Sequence, residues 1–216
     1  MKRTRTVAVW AALALWPAVA AVAGPEPSLA PTSWQLDFEF HDPQRIRLTL
    51  PGDTSPTTFW YLLFTVTNRT GQEVEFYPSF DLMTDTLDVV KGNSNIAPAV
   101  YDALQARYRA TYPFMVEPNR LYGVLRQGVD NRRTCAVAFR DFDPDANRFT
   151  IYVGGLSGEL VRLQNPVYNP LKVESDNNPR YHVLRKTLAI EYGLPGDRLS
   201  RKMATPVRVR REWVMR

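Results

Sequence analysis

Asp141, Asp143, Asp145 and Asn147 stand at alternate positions in the stretch DFDPDAN. Side-chain oxygens at that spacing can converge on a hard cation, so these four are candidate calcium ligands. The EF-hand pattern itself fails: its glycine would fall at Ala146 and its closing glutamate at Tyr152. The competing account is a solvated loop between strands, in which Asp-Pro and Asn perform turn work. A second cluster, Asp81, Asp85 and Asp88 in FDLMTDTLD, holds enough carboxylates for two to flank a glycosidic bond. Solvated strand edges and turns explain the same residues.

Nucleophilic chemistry finds little to build on. Gly155-Leu156-Ser157-Gly158 suggests a nucleophile elbow, but that motif needs glycine two places after the serine, where Glu159 stands. It also needs a following helix, and Leu160-Val161-Arg162-Leu163 reads as extended. The two histidines, His41 and His182, lie in no zinc-ligand spacing. Cys135 is the one cysteine, which excludes an internal disulfide. It shares a strand face with Val137 and Phe139 and reads as a small buried hydrophobe.

Basic residues gather toward the C-terminus: Arg198, Arg201, Lys202, Arg208, Arg210, Arg211 and Arg216, with Trp213 among them. Cations with an interleaved aromatic can grip a polyanion. Arg208, Arg210, Arg211 and Trp213 are therefore candidate binding residues, as are Tyr61 and Tyr77 if their rings are exposed. The competing account places Val207 and Val209 in the core and leaves Arg208 and Arg210 on a wet strand face.

Met1 to Arg5 is a basic segment, residues 6–22 are almost wholly apolar, and Ala21-Val22-Ala23 offers small residues for signal peptidase. Residues 1–23 thus read as a bacterial secretory leader cleaved after Ala23, not a membrane anchor. The whole chain carries 27 basic and 22 acidic residues, a net charge of +5. Lys2, Arg3 and Arg5 leave with the leader, so the mature chain is close to charge balance and has no global pull on nucleic acid.

Residues 24–33 hold Pro25, Pro27 and Pro31 with little to bury and read as a flexible arm. From Trp34 onward the hydrophobic period is two. Leu36, Phe38 and Phe40 alternate with polar residues, as do Ile46, Leu48 and Leu50. In FWYLLFTVT, residues 59–67, Trp60, Leu62, Phe64 and Val66 form one apolar face, and Phe59, Tyr61 and Leu63 begin a second. A strand apolar on both faces is central to its sheet. Asn68-Arg69-Thr70-Gly71 then supplies turn chemistry, and Val74 and Phe76 read as the inward face of a return strand closing a hairpin. Asn68-Arg69-Thr70 also matches a glycosylation sequon. Over 97–111, Val100, Ala103, Leu104 and Tyr108 recur at helical spacing behind Pro98, which predicts one inserted amphipathic helix. Further strands are expected near 120–126, 134–140, 148–153, 160–163, 181–192 and 206–215. Asn165-Pro166, Asn169-Pro170 and Asn178-Pro179 mark turns.

Many short strands with frequent turns and one helix predict a mainly β fold, a single β-sandwich domain over 34–216. The stretch Val66-Thr67-Asn68-Arg69-Thr70-Gly71, and Phe139 through the Asp-rich loop to Phe149-Thr150-Ile151-Tyr152-Val153, resemble exported bacterial immunoglobulin-like β-sandwich proteins. The activities of those proteins are uncharacterised, so the resemblance implies a scaffold and transfers no catalytic residue. The chain departs from antibody domains in lacking their cysteine–tryptophan–cysteine core. The reading that follows is a non-catalytic binding or assembly module, secreted or periplasmic, with a protein or glycan partner and no cofactor; calcium at residues 141–147 belongs to an alternative. The alternatives are a carboxylate-dependent hydrolase of an extracellular polymer and a calcium-stabilised adhesion module.

Overall fold

A computed structural model describes residues 24–216; the expected leader, residues 1–23, lies outside the described residues. Twelve strands and one α-helix follow in order among those described. They are β1 (Asp37–Phe40), β2 (Gln44–Leu48), β3 (Thr57–Thr67), β4 (Val74–Phe76), β5 (Ser79–Thr84) and β6 (Val89–Lys91), then helix α1 (Pro98–Tyr108). After it come β7 (Gly123–Leu125), β8 (Arg133–Arg140), β9 (Arg148–Gly154), β10 (Leu160–Gln164), β11 (Tyr181–Gly193) and β12 (Val207–Met215).

In the first sheet β3 is central. β1 and β2 pair in succession along one edge, and β8 pairs along the other. The second sheet runs β12-β11-β9-β5-β6, with β10 joined to the first residues of β11. β4 and β7 form a separate two-stranded ribbon. Every strand pair is antiparallel, which gives the mainly β, two-sheet architecture that the alternation predicts.

The two faces of β3 meet different partners. Trp60, Leu62, Phe64 and Val66 join Phe80, Leu82, Phe149, Ile151, Val153, Leu188, Ile190 and Tyr192 in the core between the sheets. Phe59, Tyr61 and Leu63 turn the other way, onto Val100 and Leu104 of α1. Each such side chain contributes about 1.5–3 kcal/mol on burial, which explains why this segment is apolar on both sides. Arg107 is the one charged residue near the apolar stripe of α1, and its guanidinium donates to the Tyr61 hydroxyl at 3.0 Å.

Several expectations are corrected. β4 does not return along β3, because both edges of β3 are already occupied, and it pairs with β7 instead. The turn at residues 68–71 does form. Asn68 is fully buried, donates to the carbonyls of Gln72 and Leu125, and accepts from Thr70, so its amide is not presented as a glycosylation acceptor. Asp85 and Asp88 lie in the turn after β5, as expected, but Asp81 sits on β5 inside the second sheet: Phe80 and Leu82 face the core while Asp81 and Met83 face out. On β12, Val207 and Val209 are 58% and 54% exposed and not in the core. A bulge opposite Glu191 and Tyr192 leaves Val209 without a register partner and sets Arg208 against Tyr192.

Candidate binding surfaces

The candidate residues of β12 do not converge. Arg208 lies at the seam between the sheets, where Nε and Nη2 donate to Asp42 Oδ1 at 2.9 and 2.6 Å and the guanidinium sits 4.9 Å from the Phe40 ring centroid. The bond to Asp42 raises the Arg208 pKa above its ordinary value. Arg211 approaches the same ring at 5.5 Å. Arg210 points to the opposite face and pairs with Glu191 at 3.3 Å and Glu212 at 3.4 Å. Trp213 packs against the core and covers the Lys186 ammonium at 5.4 Å. Tyr61 is buried, its hydroxyl bonded to Gln44 and Tyr108, so it offers no exposed ring. Tyr77 is exposed and stacks on Tyr122 at 6.5 Å.

The Asp-rich loop fastens neighbouring segments together. Asp141 accepts the Trp60 indole N–H at 2.9 Å, Asp145 pairs with Arg198 at 2.9 Å, and the Asn147 amide donates to Asp85 at 3.0 Å. The Thr86 hydroxyl, followed by the Asp145 amide, lowers the Asp143 pKa. The backbone carbonyls of Asp145 and Ala146 accept from Arg201. Among the described residues no three His, Cys, Asp or Glu side chains gather as a metal-holding group. Asp85 and Asp88 bond the amides of Asn147 and Asp143, while Asp81 lies on β5 and pairs with Arg216 at 3.1 Å. Asp81 shares an outer cleft of about 540 Å³ with Glu75, Tyr77 and Tyr152.

Ser157, His41 and Glu159 each have structural partners. Ser157 is buried and donates to the Trp34 carbonyl at 3.2 Å. His41 shares a hydrogen bond with the Tyr112 hydroxyl at 2.8 Å. Glu159, the residue that breaks the elbow motif, forms a buried ion pair with Lys186 at 3.0 Å. Ser28, within the Pro-rich arm, completes that pair: its N–H donates to Glu159 Oε1 at 2.7 Å and its carbonyl accepts from Lys186 Nζ at 3.0 Å. The Ser28 amide, ahead of the lysine, holds the Glu159 carboxyl below its ordinary range. No family model, curated protein or solved structure matches the chain.

The surface feature that sequence reasoning missed is a finger built from β10 and the start of β11. Leu160 to Gln164 pair with Arg185 to Tyr181, before β11 meets β9 at Leu188. Val161 and Leu184 are half-buried, and every other residue of this ladder is exposed. Three Asn-Pro turns order the tip. Asn165 donates to the Pro179 carbonyl and accepts from the Val167 amide. Asn178 donates to the carbonyls of Asn169, Lys172 and Val173 and accepts from the Asn169 amide. Both asparagines are buried, yet Val167, Leu171 and Val173 are 82%, 94% and 87% exposed. The signal was visible as Asn-Pro repeats beside apolar residues, but sequence alone does not say that the strands leave the sheet.

Proposed function

We propose that the protein is an exported, non-catalytic assembly module that docks a partner protein through the β10–β11 finger. One observation carries the reading: the tip is internally hydrogen-bonded through buried asparagines while its branched apolar side chains stand almost wholly in water. Hydrophobic groups fixed on an ordered scaffold lose little conformational freedom on docking, so more of their burial appears as affinity. The fitting partner is a protein with an apolar groove, and not a bilayer. Within residues 165–180 the cations Lys172 and Arg180 are matched by Glu174 and Asp176, whereas segments drawn to anionic lipid carry an excess of Lys and Arg.

The test replaces Leu171 or Val173 with a photo-crosslinking residue in the producing cell, with exposed Ala106 on α1 as the comparison site. Discrete adducts from the two tip positions, absent at Ala106, are expected. Equal adducts from all three sites, none from the tip, or saturable binding of the purified protein to vesicles through the tip would each overturn the proposal.

A further inference from the structure

Independently of the finger, a cleft of about 480 Å³ opens between α1, the segment after it and β8. Its floor is Ala136 of β8, and its walls include Ile96, Met115 and Val116 with the rings of Tyr101 and Tyr122. Volume and lining match small-molecule sites, which are mostly apolar with a few polar groups fixing orientation. The Tyr101 ring is held in place: its hydroxyl donates to Asn93 Oδ1 at 2.8 Å, and that oxygen also accepts the Ala138 amide. Desolvation raises the Tyr101 pKa, so the hydroxyl keeps the proton that it donates to Asn93.

The charges at the cleft have one sign. Asp102 of α1 and Glu117 are both exposed carboxylates at its wall, and no Lys or Arg lines it. Neither carboxylate takes part in an ion pair among the described residues, so no cation of the chain neutralises this wall. A neutral apolar ligand would leave these carboxylates unused, and an anion would be repelled by both. A cation on an apolar body matches this lining: its body meets the apolar walls, and its charge meets the carboxylates beside the tyrosine rings.

We infer that this cleft binds an organic cation, an alkylammonium or guanidinium group carried on a hydrophobic body.

The probe is 4-phenylbutyltrimethylammonium, titrated calorimetrically against its neutral carbon isostere and against a phenylalkyl sulfonate of equal length. The cation is expected to bind at least tenfold more tightly than the isostere, and the sulfonate to show no saturable binding. The variant Asp102→Asn/Glu117→Gln changes only exposed groups, so its melting should match wild type while its preference for the cation falls to within about twofold. A neutral isostere that binds as well as the cation would overturn the inference. So would a variant that keeps the full preference, or no saturable cation binding at millimolar concentration.

Discussion

Replacing Glu159 by Gln tests the buried ion pair that joins the arm to the second sheet. Lys186 is 2% exposed and Glu159 8% exposed, and at 3.0 Å their gross attraction is about 5 kcal/mol at an effective dielectric near 20. Much of that offsets the desolvation of both ions, so the pair as a whole adds little over an apolar replacement. Removing one partner is different, because the lysine is left buried without its counter-ion. Breaking a buried pair costs about 3–5 kcal/mol. A carboxamide oxygen can still accept a hydrogen bond, and the Ser28 carbonyl still accepts from Lys186, so the lower end, about 3 kcal/mol, is expected. That lowers the melting midpoint by roughly 6–12 °C for a domain of this size class. Glu159→Leu/Lys186→Met should recover to within about 1 kcal/mol of wild type, because no orphan charge remains.

The pH dependence fixes the sign. The Glu159 carboxyl is held below its ordinary value, first by the Ser28 N–H and then by Lys186. Its contribution is therefore complete above the unfolded carboxylate range, about pH 4–5, and is lost as pH falls through the lower folded value. Chemical denaturation from pH 7 down to pH 3 should show the gap between wild type and Glu159→Gln closing on acidification. A gap below about 0.5 kcal/mol at pH 7, or one that widens toward pH 3, would refute the reasoning.

Two further outcomes follow from groups with stated partners. Arg45 lies 3.9 Å from the Trp60 ring centroid and donates to the carbonyls of Arg201 and Ala204 at 2.8 Å each, so Arg45→Met should release the segment before β12. Trypsin cleavage at Arg198 and Arg201 should accelerate at least tenfold, and a wild-type rate would show that the segment is held elsewhere. Burial pushes the Cys135 thiol up to about 12, so the native protein should stay unlabelled by a disulfide reagent at pH 8 and take up one equivalent on denaturation; fast native labelling would contradict its placement.

The parts of the fold written in local periodicity were legible. Alternation placed β1, β2, β3, β8 and β9, and helical spacing placed α1. The two apolar faces of β3 fell to separate cores because each face is a run of adjacent alternate residues. β5 was obscured because Asp81, which faces out of the sheet, was grouped with Asp85 and Asp88 of the turn that follows. The hairpin expected between β3 and β4 failed for a non-local reason. A turn sequence brings a strand back, but which edge it joins depends on strands far away in sequence.

The candidate site residues show the same division between local and distant information. Arg208 and Arg210 are adjacent alternate positions and read as one wet face, but a single bulge between them sends their guanidinia to opposite sides of the sheet, to Asp42 and to Glu191. Glu159 and Lys186 were unremarkable in sequence because a buried ion pair has no periodic signature. What identifies it is the antiparallel register that continues from Leu160 opposite Arg185. The finger depends on the same register, since β10 pairs with the one part of β11 that no other strand flanks. A strand longer than its sheet is wide must either fray or acquire a private partner. Here the partner brings three Asn-Pro turns that satisfy the backbone of the tip from within. The apolar side chains Val167, Leu171 and Val173 of that tip stand 82%, 94% and 87% exposed, and the proposed docking rests on that exposure.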